Sequence, residues 1–127
     1  MPRYILINQT RTLEQAMSTD KELVMYSRSY GCPWISIAKR VLGRHDISYR
    51  ELMIDKDPTA KERVLEWTGF LSVPTMIIAN AGEDLPYTDF EPLPSGASPR
   101  GIDRGPMLTE ATDEQVEAWL AKHGFVE

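Results

Sequence analysis

The sequence predicts an α/β fold in three layers, a central sheet with helices on both faces. Two observations carry this. Apolar runs of strand length alternate with segments of helical periodicity, in the order strand–helix–strand–helix–strand, and a further capped helix closes the chain. In addition, 127 residues with 42% hydrophobic and 26% charged content suit one packed domain, residues 1–127, and argue against global disorder.

Thr12-Leu13-Glu14-Gln15 has the form of a capping box, and with Ala16 and Met17 it predicts a short helix over residues 12–18 in an N-terminal extension, residues 1–20. Lys21 to Ser27, apolar through Leu23-Val24-Met25-Tyr26, reads as the first core strand. After Pro33 apolar residues recur at Trp34, Ile37, Ala38, Val41 and Leu42, which predicts a helix to about Arg44. Ile47 to Asp55 mixes β-formers with polar residues and reads as a strand. Asp57-Pro58 opens the next helix as cap and first residue, Ala60, Val64 and Trp67 form its inward stripe, and Gly69 ends it. Val73 to Ala79 reads as a third strand. This order is that of parallel strands joined by right-handed crossovers. Thr112-Asp113-Glu114-Gln115 is a second capping box, Val116, Trp119 and Leu120 face inward, and Gly124 is the stop.

Residues 82–106 break the pattern. They hold Pro86, Pro92, Pro94, Pro99 and Pro106, five of the nine prolines, so little regular structure is expected. A stretch of this length inside a small domain is usually functional or disordered. It reads as a lid or specificity loop, with Arg100 and Arg104 as anion contacts, or as a solvated insertion.

The formal net charge of -5 argues against nucleic acid or an anionic membrane as the main partner. No apolar run reaches membrane-spanning length, and Met1 to Ile7 is too short for a signal-peptide core. The single cysteine excludes an internal disulfide framework and fits a cytoplasmic location. A monomer is expected. His45 and His123 fall near helix C-termini, where a cation is favoured, and no residue spacing suggests a metal site. Asp55, Asp57, Glu62 and Glu66 read as caps and solvated faces.

The lone cysteine, Cys32, stands in Ser29-Tyr30-Gly31-Cys32-Pro33-Trp34-Ile35, between the first strand and its helix. Free cysteine most often packs as a small hydrophobe. Here the context argues otherwise. Pro33 suits the first helical position, which places the thiol at a helix N-terminus, where partial positive charge favours the thiolate. Such a thiol is a candidate nucleophile.

Tyr26 to Tyr30 followed by Cys32-Pro33-Trp34 resembles the active-site segment of the glutaredoxins, in the thioredoxin-like superfamily. Thr68-Gly69-Phe70-Leu71-Ser72-Val73-Pro74 resembles the family's Thr-Gly-x-x-Thr-Val-Pro stretch. The resemblance covers residues 22–79 and implies a glutaredoxin-type sheet of mixed strand direction. It implies Cys32 as the nucleophile on a glutathione mixed disulfide, and Val73, before a cis Pro74, as the backbone partner of glutathione. Arg28 takes the place of a contact to a glutathione carboxylate. Tyr30, Pro33 and Trp34 flank the thiol. Glutathione, or another low-molecular-weight thiol, would be co-substrate, with disulfide-bearing proteins as the other partners.

The chain departs from the family in places. Ile35 stands where dithiol members have a second cysteine, so turnover would follow a monothiol route. Gly31 interrupts the usual spacing before the cysteine. The family's Gly-Gly-x-Asp segment is absent, and Gly101-Ile102-Asp103 or Thr109 with Thr112 are candidate substitutes. Relatives that carry a [2Fe–2S] cluster have Cys-Gly-Phe-Ser where this chain has Cys-Pro-Trp-Ile, so a cluster is the weaker expectation. A thioredoxin-fold binding module without turnover is the alternative to the enzyme.

Overall fold

The computed structural model describes residues 21–126. The helix expected over residues 12–18 lies outside that range. Four strands form one sheet: β1 (Lys21–Ser27), β2 (Arg50–Met53), β3 (Thr75–Asn80) and β4 (Met107–Thr109), in the order β2-β1-β3-β4. Among the described residues three helices accompany them, α1 (Pro33–Arg44), α2 (Pro58–Thr68) and α3 (Asp113–Lys122).

Alternation along β1 and β3 assigns the two faces. Leu23 and Met25 of β1, with Met76 and Ile78 of β3, pack against Ala38, Val41 and Leu42 of α1 and Val116, Trp119 and Leu120 of α3. Val24 and Tyr26, with Ile77 and Ala79, pack on the opposite side against Ala60 and Val64 of α2. The three-layer expectation therefore holds. No helix among the described residues is long and apolar enough to cross a membrane.

The strand directions are mixed, as the resemblance implied, although strand–helix–strand order by itself suggests parallel strands. β1 and β2 pair in parallel, but β3 runs antiparallel to β1, with Leu23 opposite Ile78 and Met25 opposite Met76. Strand–helix–strand order alone does not fix direction, because the chain enters β3 at the end of the sheet where β1 finishes, with Thr75 opposite Tyr26. β4 was not expected as a strand. It pairs antiparallel to β3, Met76 opposite Leu108, immediately after the proline-rich insertion.

Local signals account for the helix ends. The Asp57 carboxylate accepts from the backbone N–H groups of Thr59 and Ala60 at 3.0 and 3.3 Å, and Gly69 closes α2 with φ 79°. Asp57→Ala is expected to cost about 1 kcal/mol in urea unfolding, since two first-turn donors lose their partner. A loss below a few tenths would show that solvent replaces the cap. At α3, Thr112 and Gln115 form the expected reciprocal capping box.

His123 corrects one expectation. It ends α3, but burial, the largest influence, pushes its pKa below the ordinary 6.5, and its Nε2 lies 2.8 Å from the Gly105 carbonyl. The unfolded chain takes up a proton near pH 6.5 that the folded chain resists. Stability is therefore full above that pH and falls as pH drops through it toward the lowered folded value. The melting temperature should fall more between pH 7.5 and 5.5 in wild type than in His123→Gln. Equal falls would exclude His123 as the source.

Candidate active site

The site is assembled where β1 hands the chain to α1. Ile54 N–H donates to the Ser27 carbonyl at 2.8 Å, holding the end of β1 beside the segment after β2. Asp55 grips the following residue. Its carboxylate accepts from the Ser29 backbone N–H at 3.1 Å and from the Ser29 hydroxyl, and that hydroxyl is the main reason its pKa lies below the usual value. Asp55 thus anchors the loop before the cysteine, where the sequence suggests a cap or a solvated face.

Cys32 is the N-cap residue of α1 and Pro33 opens the helix, as expected. The cap residue has extended backbone and makes no side-chain capping bond, so the sulfur is left available. It is half-buried and lies 3.6 Å from the Val73 carbonyl oxygen, which accepts its S–H. The Val73–Pro74 bond is cis, as the resemblance implied. Val73 is itself buried on the side of the sheet that packs against α2, and Cys32 packs against that cluster. Two segments more than forty residues apart thus meet at the thiol. Ile35, in the first turn of α1, is buried in the same cluster.

The flanking residues take distinct places. Arg28 donates through Nη2 to the Gly31 carbonyl at 3.0 Å and lies over the Tyr30 ring at 4.5 Å. Its Nε is buried without a hydrogen-bond partner among the described residues. Tyr30 is 62% exposed, so it is an open rim to the thiol and not a packed wall. Trp34 is partly buried, and the Arg100 guanidinium lies over its ring at 5.3 Å.

Two grooves meet at Leu71. The first, about 430 Å³, is walled by Arg28, Tyr30, Ile54, Lys56, Lys61 and neighbouring residues. The second, about 340 Å³, runs between Phe70-Leu71-Ser72 and Ser98, Pro99, Arg100 and Glu110. Cys32 lines neither, but Tyr30 two residues before it walls the first, and Ser72 of the second precedes Val73. Lys56, Lys61, Leu71 and Glu110 were missed by sequence reasoning. The lysines lie near the start of α2, a place only the fold reveals. Glu110 has φ 46°, a left-handed conformation that no glycine or asparagine announces.

The insertion reaches this site through Arg100 but not through Arg104. Arg104 is 2% exposed, and its Nε and Nη1 donate to the Glu91 and Trp67 carbonyls, each at 2.7 Å. It is a clasp between the insertion and the end of α2, which corrects its expected role as an anion contact. Asp103 is likewise engaged elsewhere, paired with Lys122 at 2.9 Å, which removes Gly101-Ile102-Asp103 as a ligand segment. Thr109 is buried and bonded to Thr75, and Thr112 caps α3. Among the described residues no group of three His, Cys, Asp or Glu side chains is arranged to hold a metal ion.

A third strand antiparallel to the first, entered through a cis Val73–Pro74 bond whose Val73 carbonyl meets the thiol of an N-cap cysteine, defines a thioredoxin-like α/β protein. Residues 23–81 match the Glutaredoxin family model, which supports a glutaredoxin-like protein of that superfamily. The match supports a thiol-oxidoreductase-like role and stops at the edge of the insertion, before β4 and α3. No curated protein matches the chain.

Proposed function

We propose that this chain is a monothiol oxidoreductase acting on mixed disulfides of glutathione or a similar low-molecular-weight thiol. The observation that carries the reading is the Cys32 sulfur 3.6 Å from the Val73 carbonyl, with a groove on either side of Leu71. An extended, peptide-like thiol could lie along Leu71 to Val73, with a carboxylate at Arg28.

The reaction balances as two exchanges. The Cys32 thiolate attacks the glutathionyl sulfur of a protein mixed disulfide. That S–S bond breaks, a Cys32–glutathione disulfide forms, and the protein thiolate leaves and takes a proton. The thiolate of a second glutathione then attacks the glutathionyl sulfur on Cys32. Oxidised glutathione leaves and the Cys32 thiolate returns. Buried Ile35 supplies no second thiol, so the external one is required. Trp34, with Arg100 above it, leaves a bulky side chain beside the sulfur, which works against a cluster shared between two copies. A cytoplasmic monomer remains part of the proposal.

Treatment with oxidised glutathione should give one glutathionyl adduct, mapped by mass spectrometry to Cys32. The chain should then reduce a glutathionylated peptide when glutathione is supplied. Absence of both the adduct and the turnover at every pH tested would favour the binding module instead.

A further inference from the structure

A third groove, of about 460 Å³, runs between the end of α2 and the insertion. Trp67 and Phe70 wall it from the helix, and Phe90, Pro92 and Pro94 from the insertion. The Trp67 and Phe90 rings meet edge to face, with centroids 6.3 Å apart. A turn of the insertion borders it. The Ala97 N–H donates to the Pro94 carbonyl at 2.9 Å, and Gly96 takes the positive φ, 79°, that such a turn requires. Cys32, Val73 and Pro74 do not line this groove.

Arg104 is the only basic side chain on its wall, and the clasp does not use all of the guanidinium's donors. Nε is taken by the Glu91 carbonyl, and Nη1 by the Trp67 carbonyl and the Met107 sulfur. Nη2 has no hydrogen-bond partner among the described residues, and it is not one of the unpartnered polar atoms sealed from solvent. Both of its N–H donors are left over. Arg104 is 2% exposed, and a cation buried this far is costly without an anion beside it. The one acidic residue on the wall, Glu66, is exposed, where water screens its charge. The groove therefore offers an aromatic, proline-rich lining around one unneutralised charge. Small-molecule sites have this form, apolar walls with a few polar groups that fix orientation.

We propose that this groove binds a small aromatic carboxylic acid, its ring among Trp67, Phe90 and Pro94 and a carboxylate oxygen on Arg104 Nη2. The carboxylate supplies the counter-charge that the fold leaves out. The aromatic body matches walls made of rings and prolines, which present flat apolar surfaces. A ligand held this way bridges the clasp and the turn, so its binding stabilises the insertion. The inference does not rest on the chemistry of Cys32.

The probe is 3-phenylpropionate. It is compared with 3-phenylpropionamide, which keeps the ring and loses the charge, and with acetate, which keeps the charge and loses the ring. Affinities for the full chain are measured calorimetrically, and 15N spectra follow the Arg104 Nε–H and the Trp67 indole N–H. The acid should bind at least about tenfold more tightly than either control, since a hydrogen bond between two charged groups and a buried ring are each worth that much. It should shift both signals and raise the melting temperature. Ala97→Phe places a ring in the groove while keeping every bond of the clasp, and should weaken the acid by about tenfold or more. The comparison of acid and amide is made on the wild-type chain, so it decides whether or not that variant folds. Equal affinity for the acid and either control, no binding of the acid at millimolar concentration, or undiminished binding in a folded Ala97→Phe chain would overturn the proposal.

Discussion

Cys32→Ser is expected to abolish both adduct formation and glutathione-coupled reduction while leaving the fold intact. A hydroxyl cannot take the glutathionyl group by disulfide exchange, and no second cysteine exists in the chain to substitute. The same change should raise stability. Cys32 occupies the N-cap of α1 without making a side-chain capping bond, whereas serine is among the favoured caps. A gain of up to about 1 kcal/mol in urea unfolding is expected alongside total loss of turnover. This opposition separates a dead site from a damaged protein. Residual turnover in the variant above the glutathione-only background would show that the reaction does not run through this sulfur.

Arg104→Ala is expected to be the most destabilising single change on the insertion, at roughly 3 kcal/mol. Two carbonyls in partly buried contacts, of Glu91 and Trp67, lose charge-assisted donors, and the stack on Phe90 at 4.9 Å is lost with them. Relief from burying a cation offsets part of this. Burial alone pushes the Arg104 guanidinium below its ordinary pKa, and no carboxylate pairs with it among the described residues. Arg104→Lys should rescue little, because one ammonium cannot span two carbonyls as the planar fork does. Urea unfolding followed by tryptophan fluorescence measures it directly, since Trp67 lies at the clasp. A loss below about 1 kcal/mol would mean that the insertion is held by its other contacts.

Much of the fold was legible because local signals agreed with the tertiary structure. Asp57-Pro58 and Thr112 to Gln115 announce helix starts that need no long-range information, and the apolar run 23–26 is buried on both faces. What escaped depends on distant partners. β4 has only three residues, and it is a strand because β3 offers it an antiparallel edge. The direction of β3 follows from the end of the sheet at which it starts, beside the end of β1. At the site, Cys32, Pro33, Val73 and Pro74 were placed by short motifs, and the structure brings them together. Arg28, Tyr30 and Trp34 lie beside them in roles fixed by stacking. The two arginines of the insertion look alike in sequence. One ends up buried against carbonyls and the other over a partly buried indole, a difference created by how the proline-rich chain packs.

That packing has a further effect on the outer margin of the sheet. Short bridges join Arg100 to Thr109 and Asp103 to Leu108, and the Arg104 N–H donates to the Met107 carbonyl at 3.0 Å. The unpaired main-chain groups of β4 would otherwise offer a template for another polypeptide to add on. The insertion fills that template from within its own chain. Removing it would therefore expose a sticky apolar strand, Met107-Leu108, and a shortened protein should self-associate in proportion to its concentration.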